Sequence, residues 1–252
     1  MSYPVVIHAD HTTQAHRANT SDKRHNLGQR MVYPDGRRWA YGLCGGTTLI
    51  VGDLIQGKAV VSGDYTDVVV DVAASVGATS LSLTPTTTTA ANYYNEGWIH
   101  VNKGTGVEDG YTYKVKATGS HAVFAAEAGH VVQLDPDDPI RVALAVNAEV
   151  GLVPNAYNGM IVAPGTTLTG RVIGVAQAPV TNAQYGWVQT WGMAAVNSAA
   201  SQVIGKRLIA ILAAAGRVGV EAETDGTGWI VGQAMSVPTT AGEYGAIFLT
   251  LE

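Results

Sequence analysis

The sequence has few of the residues that cross-link a fold or carry out chemistry. A single cysteine, Cys44, excludes an intrachain disulfide. Charged residues make up only 14% of the 252 positions, against about 25% in an average globular protein. No stretch approaches the ~20 consecutive apolar residues that a membrane-spanning helix needs. We therefore expect a soluble protein that folds in a reducing compartment and packs a weakly charged surface against other proteins.

The few charges are unevenly distributed along the chain. Residues 1–38 hold six Lys and Arg against three Asp, a net charge of +3, and residues 39–252 have a net charge of −8. The six basic residues are Arg17, Lys23, Arg24, Arg30, Arg37 and Arg38. Because residues 8–30 show neither helical nor alternating periodicity, we predict an extended basic arm over residues 1–38 that docks on an acidic protein surface. Dispersed charges with few aromatic neighbours do not favour direct nucleic-acid binding.

The pattern after the arm predicts an all-β fold. Pro34-Asp35-Gly36 has the composition of a tight turn and predicts a hairpin between the apolar stretches that flank it. Two alternating stretches, residues 98–102 and 111–116, predict a second hairpin. From residue 150 onward, short apolar stretches recur between Gly, Pro and Asn, which is typical of an antiparallel sandwich or barrel. Only Leu208 to Ala215 leaves a helix open, and its flanking glycines favour a strand.

The same pattern suggests how the chain is divided. Residues 39–72 and 147–252 are predicted to form one β body, in a sandwich-like or barrel-like arrangement. Residues 73–146 are predicted to be an inserted or second β domain, closed by the Asp- and Pro-rich run at residues 135–139.

One short phrase occurs twice in the C-terminal half. Val172-Ile173-Gly174 is followed by Tyr185-Gly186, and Ile230-Val231-Gly232 is followed by Tyr244-Gly245. The phrase contains no acid, base or nucleophile, so it repeats a shape and predicts two related strand pairs. The copies differ where Trp187 of the first stands for Ala246 of the second, and we predict that the first copy faces a partner. The predicted interface residues are Trp187, Trp191, Tyr185 and Tyr244.

No spacing of reactive residues indicates an active site. His8-Ala9-Asp10-His11, with His16 and His25, is the only cluster of metal-capable side chains, and its segment offers no scaffold for zinc. Asp135, Asp137 and Asp138 fit a tight turn better than a calcium site. Cys44 has apolar neighbours that favour a buried thiol. We therefore predict a protein that is not an enzyme, with no catalytic residue, metal or cofactor.

Turn and strand motifs follow one another in a recognisable order over nearly the whole chain beyond the arm. They are Asp35-Gly36-Arg37-Arg38-Trp39-Ala40-Tyr41, Tyr94-Asn95-Glu96-Gly97-Trp98, Gly110-Tyr111-Thr112-Tyr113-Lys114, Pro154-Asn155-Ala156-Tyr157-Asn158-Gly159 and the doubled phrase. In this order they resemble the head decoration (capsid cement) proteins of tailed bacteriophages. The motifs are turn glycines, tyrosines and apolar strand residues, and none is a reactive signature.

The resemblance implies a function and a set of partners. It implies a β-rich homo-oligomer, commonly a trimer, that is made in the host cytoplasm and lies on the capsid exterior of the virion. Such a protein bridges subunits of the major capsid protein, stabilises the expanded shell and has no catalytic residues. The basic arm would then anchor the protein across an acidic capsid surface, without contact to nucleic acid or membrane.

A second hypothesis is a glycan-binding head fibre or tail-associated adhesin. Its basis is the set of aromatic residues Trp39, Tyr41, Trp98, Tyr111, Tyr113, Trp187 and Trp191. Trp187 and Trp191 are four residues apart and are predicted to share one face of a strand with Gln189. A face with two aromatic residues more often belongs to a protein interface or a core edge than to a carbohydrate site. A hydrolase would rest only on scattered Asp and His.

Overall fold

The chain is nearly all β, as predicted. The computed structural model describes residues 6–104, 107–199, 202–211, 213–220 and 229–252. These residues form one short 3₁₀ helix (Ala15–Arg17), seventeen strands and no α-helix. The strands are β1 (Val6–His8), β2 (Arg30–Val32), β3 (Arg38–Cys44), β4 (Leu54–Gln56), β5 (Val68–Val72), β6 (Ser80–Thr84), β7 (Trp98–Lys103), β8 (Thr112–Lys114), β9 (His130–Gln133), β10 (Glu149–Val153), β11 (Asn158–Val162), β12 (Val172–Val175), β13 (Tyr185–Asn197), β14 (Arg207–Ala210), β15 (Val218–Val220), β16 (Ile230–Ala234) and β17 (Tyr244–Thr250).

The chain divides into two compact units. The barrel unit comprises Met1–Lys58 and Ala156–Glu252, and the inserted unit comprises Ala59–Asn155. The inserted unit extends beyond residues 73–146 at both ends, because β5 and β10 pair with each other and belong to its sheet. The sequence did not indicate this, since a short apolar run such as β5 suits either unit.

The barrel unit contains a closed five-stranded barrel. Its strands follow the order β3-β11-β4-β12-β13, and pairing of β13 with β3 closes the circle. The barrel is filled by apolar side chains that include Leu49, Ile55, Met160 and Val188. Cys44 lies among them at 1% exposure, and its thiol donates a hydrogen bond to the Thr47 carbonyl oxygen at 3.3 Å. This placement agrees with the predicted buried thiol.

A curled half-barrel continues from the same long strand. β13 pairs with β17 beyond the barrel, and the sheet goes on through β16 and β14 to β15. Leu208 and Ile209 lie in β14, so this part of the segment for which a helix was left open forms a strand. Leu212 lies outside the described residues. The sheet curls back towards the barrel, since the Leu54 N–H donates to the Gly216 carbonyl oxygen at 2.8 Å.

The doubled phrase forms two adjacent antiparallel strand pairs. β12 pairs with β13, β16 pairs with β17, and the two pairs join where β13 meets β17. Each shared glycine lies against its partner strand. A Cβ atom on Gly174 would stand 2.9 Å from the Gln189 carbonyl oxygen, and one on Gly232 would overlap the Phe248 carbonyl oxygen. Gln189 and Phe248 each follow their phrase's tyrosine by four residues, so both glycines serve the same close approach of two backbones.

The inserted unit is a single six-stranded sheet in the order β8-β7-β10-β5-β6-β9. The β7–β8 pair is the second predicted hairpin. The two edges approach each other, because the Lys116 N–H donates to the Gln133 carbonyl oxygen at 3.0 Å. The core contains a fully buried carboxylate, Asp64, which accepts hydrogen bonds from the hydroxyl groups of Thr87, Thr89 and Tyr94 at 2.8, 2.7 and 2.6 Å.

Candidate interaction site

Residues 6–38 fold onto the barrel and differ from the predicted extended arm. β1 lies parallel to β2, and β2 and β3 form the predicted hairpin. Thr20 bridges to Tyr185 through two backbone hydrogen bonds of 3.0 and 2.8 Å. We call residues 6–29 the covering segment, because its residues Ile7, Ala9 and Ala15 pack on a cluster of large side chains. This aromatic cluster consists of Met31, Tyr33, Trp39, Tyr41 and Trp187, and its burial favours the folded segment.

Two histidines of the covering segment contact the aromatic cluster. The His16 ring stacks on Trp39 with centroids 4.4 Å apart, and its Nδ1 atom lies 2.8 Å from the Tyr33 hydroxyl oxygen. The His25 ring meets Tyr41 edge-on at 5.0 Å. Burial lowers the pKa of both histidines, and nearby arginines lower it further. The lowered pKa favours the uncharged form of both rings at neutral pH.

A small cavity remains between the covering segment and the cluster. It measures about 210 Å³, with Ile7, Met31, Tyr41 and Trp187 among its walls and Arg24 at its margin. An apolar cavity of about 150 Å³ can hold a single aromatic ring. The cavity therefore has the size and lining for a small apolar group.

The six predicted anchor cations divide into two groups. Arg37 pairs with Asp35 at 2.7 Å, and Arg30 and Arg38 both lie 3.5 Å from the Glu252 carboxylate. These three cations have carboxylate neighbours within the chain, and Glu252 is shared by two of them. The other three, Arg17, Lys23 and Arg24, are exposed on the covering segment. Arg17 and Arg24 make no ion pair to any acidic residue that the structure describes, so they remain candidates for contact with an acidic partner.

The structure separates the four predicted interface residues into two pairs. Trp187 is only 4% exposed and belongs to the aromatic cluster, and Tyr185 stacks on Tyr41 at 5.7 Å. Trp187 is thus covered by its own chain, which corrects its predicted exposure to a partner. Trp187 and Trp191 lie on different faces of β13, because a β-bulge between Gln189 and Trp191 adds one residue and breaks the alternation of side chains along the strand.

Trp191 and Tyr244 lie near a different surface, on the half-barrel. The Trp191 ring meets Phe248 edge-on at 5.6 Å, and the Arg38 guanidinium lies 5.1 Å from the Trp191 ring centroid. Tyr244 begins β17 and is 53% exposed. Inward residues of β17, such as Ile247 and Leu249, fill the half-barrel core, so the alternate residues of the strand point outward.

The apolar members of these outward residues and of the neighbouring strands adjoin one another and form a surface that we call the outer face. Met193 is paired with Phe248 and Ala195 with Ala246, while Asn197 is paired with Tyr244. Met235 follows β16, and its N–H donates to the Ala246 carbonyl oxygen at 2.9 Å. The outer face consists of Met193, Ala195, Met235, Tyr244, Ala246 and Phe248, none of which is charged. Its border on β16 and β14 is polar, because the exposed Gln233 is paired with Phe248 and the exposed Arg207 with Gln233.

A groove runs along one side of the outer face. It has a volume of about 550 Å³ and is lined by Trp191, Met193, Met235 and Phe248, with Asp35 and Arg37 at its margin. Sequence reasoning missed this surface except for Trp191 and Tyr244. The available signal was Tyr244-Gly245-Ala246-Ile247-Phe248, which is apolar at outward as well as inward positions.

The acidic residues singled out by the sequence have structural partners. One Asp10 oxygen accepts a hydrogen bond from the Thr12 hydroxyl group at 2.7 Å and from the backbone N–H groups of Thr12 and Thr13, both at 2.9 Å. The hydroxyl bond is the main reason that the Asp10 pKa is lowered, and the backbone bonds add to it. Asp138 accepts a bond from the Lys114 N–H at 2.8 Å and also pairs with Arg141. No group of three or more His, Cys, Asp or Glu side chains suited to a metal ion occurs among the described residues.

Comparison with protein-family models, with curated proteins and with solved structures gave no match. Among the residues that the structure describes, no helix has the length and hydropathy needed to cross a membrane.

Proposed function

We propose that this protein is a non-enzymatic structural protein that decorates a tailed-phage capsid, bridges subunits of the major capsid protein and stabilises the expanded shell. The observation that carries the proposal is the outer face, an apolar surface on a β scaffold that suits assembly with other proteins, whether with copies of this chain or with shell subunits. A surface of this kind suits lasting contact between proteins. The sequence resemblance to capsid cement proteins supplies the biological setting.

The state of the acidic groups supports a scaffold over an enzyme. Asp64 is fully buried and accepts three hydroxyl hydrogen bonds, so it cannot reach a substrate. Asp10 holds a turn, and Asp138 accepts a hydrogen bond from the backbone of β8. A general acid or base has to come within about 3 Å of the proton that it transfers. Carboxylates occupied in this way are poorly placed for that task.

The contact with the capsid would use the exposed cations of the covering segment. Arg17 and Arg24 lie on the barrel unit, which has eleven Lys and Arg against nine Asp and Glu, a net charge of +2. The inserted unit has four against eleven, a net charge of −7. The barrel unit is therefore the better match for an acidic capsid surface. Several such contacts in one oligomer would combine through effective concentration.

The test is binding to undecorated expanded capsids of the phage that encodes the chain. We expect saturable binding that weakens as salt is raised. Replacing Arg17 and Arg24 by Ala should weaken binding at least about tenfold and flatten its salt dependence. The matched control replaces two other exposed cations, Lys116 and Lys206, by Ala and should bind as the unaltered protein does. Absence of binding to expanded capsids would reject the proposal.

A glycan-binding adhesin remains the second candidate, now on a different residue. Trp98 is 46% exposed on β7, with the Lys114 ammonium group 4.0 Å from its ring centroid. An exposed tryptophan beside a hydrogen-bond donor is suited to stacking on a sugar ring, whereas Trp187 is buried. Glycan-array binding that is lost in Trp98→Ala and kept in Trp229→Ala, another half-exposed tryptophan, would favour this function.

A further inference from the structure

We propose that the outer face is the surface through which copies of this chain associate with one another. Its four large side chains are well exposed: Met193 by 55%, Met235 by 50%, Tyr244 by 53% and Phe248 by 37%. They lie on neighbouring strands, so their exposed areas adjoin. The proposal concerns self-association alone and holds whether or not the protein binds a capsid.

The size of the outer face matches the central part of an oligomer interface. With about 200 Å² for a large side chain, and with the neighbouring alanines, the exposed apolar area is on the order of 500 Å². The largest apolar patch on a typical monomer covers about 300–600 Å² and is often functional. A standard protein–protein interface buries about 800 Å² on each partner, polar rim included. The outer face together with a rim reaches that range.

The composition of the outer face favours a second copy as its occupant. Methionine and aromatic residues are enriched at the centres of interfaces, where charged residues are depleted. The six residues of the outer face are uncharged, so like-charge repulsion between two copies is confined to the border, where Arg207 lies beyond Gln233. The margin of the groove carries charges of both signs, because Asp35 and Arg37 lie together there.

The net charges of the two units also favour self-association through the barrel unit. The inserted unit has a net charge of −7, so its surface repels the same surface of another copy. The barrel unit, at +2, has the weaker self-repulsion and contains the outer face. Association of like chains is therefore least opposed on the barrel unit.

Analytical ultracentrifugation of the full chain over a concentration series tests the proposal. We expect a concentration-dependent oligomer, and we expect Phe248→Lys to raise the dissociation constant at least about 30-fold by placing an unpaired charge in the interface. The matched control is Val131→Lys, at another half-exposed strand residue on the inserted unit, which should associate normally. Thermal unfolding establishes that both variants fold.

A cross-linking variant locates the contact if Phe248→Lys fails to fold. Cys44 is buried, so Ala195→Cys introduces one reactive thiol on the outer face. A short bismaleimide should cross-link copies of Ala195→Cys covalently and leave Val131→Cys without cross-links, although Val131→Cys still associates. A monomer at every concentration overturns the proposal. An oligomer that persists in folded Phe248→Lys, or one that is cross-linked through Val131→Cys alone, overturns it as well.

Discussion

The Asp64 network allows a stability prediction whose magnitude follows from the structure. Asp64→Ala removes the acceptor for three hydroxyl groups, those of Thr87, Thr89 and Tyr94. Thr89 and Tyr94 are 4% and 0% exposed, so bulk water does not reach these two hydroxyl groups in the intact protein. A buried donor left unsatisfied costs about 1–3 kcal/mol. Two of them, with a weaker contribution from Thr87, give a loss of about 3–6 kcal/mol in the free energy of unfolding of the inserted unit.

Two milder variants set the expected order of effects. Tyr94→Phe removes one hydrogen bond to a charged group and should cost about 1.5–3 kcal/mol. Asp64→Asn keeps the shape and one acceptor oxygen, and its amide group can donate to a hydroxyl that turns around, so its cost should be smaller than that of Asp64→Ala. The control Asp71→Ala removes a half-buried carboxylate with a single 3.3 Å contact to Ser82 and should cost less than about 0.5 kcal/mol.

Hydrogen exchange read by mass spectrometry on the full chain is the suitable assay, because it resolves peptides of the two units separately. Peptides from residues 59–155 should lose protection in Asp64→Ala, while those from the barrel strands keep it. Equal effects of Asp64→Ala and Asp71→Ala would refute the reasoning, since the buried hydroxyl contacts would then contribute nothing measurable.

Three further predictions follow from the barrel unit. Trp187→Ala should lower the free energy of unfolding by about 3–5 kcal/mol, because it empties a site in the aromatic cluster, and urea unfolding would measure this loss. Gly232→Ala should destabilise the protein while retaining its fold, because the added Cβ atom overlaps the Phe248 carbonyl oxygen. Thermal unfolding should show a lower midpoint, and an unchanged midpoint would mean that β16 and β17 do not approach closely at this position. His16 and His25 have folded-state pKa values below the usual 6.5, so the stability that they contribute is complete above that pH and declines as the pH falls below it. The free energy of unfolding, measured from about pH 7.5 to about pH 5.5, should therefore decline less steeply in the variant with both histidines replaced by Gln. An equal slope in the two proteins would contradict the lowered pKa of these histidines.

The fold class was predictable because it depends on local patterns. Alternation in Ser80–Thr84 and the turn at Pro34-Asp35-Gly36 act over a few residues, and both appear as expected. Barrel closure was not predictable, because it needs β3 to pair with β13, more than one hundred residues away along the chain. Nothing local in either strand specifies that partner.

The covering segment shows why composition misled the prediction of the N-terminus. Residues 8–30 are polar and lack periodicity, which usually indicates an extended chain. A few apolar residues, Ile7, Ala9 and Ala15, together with uncharged histidine rings, are nevertheless enough to attach it to exposed aromatic faces. Histidine counts as polar in a sequence pattern, but an uncharged imidazole packs on tryptophan as an aromatic ring does.

The doubled phrase links the aromatic cluster to the outer face. The first copy, with Trp187, contributes to a surface that β3 and the covering segment enclose within the chain. The second copy, with Ala246 and Phe248, presents the outer face and is enclosed by no described part of its own unit. The two copies therefore differ as the sequence suggested, but Trp187 of the first copy is covered by the chain itself and is only 4% exposed. If the outer face binds a second copy, that copy covers β17 in the same way as the covering segment covers the first copy of the phrase. Mutations at Phe248 should then alter association, whereas mutations at Trp187 should alter folding.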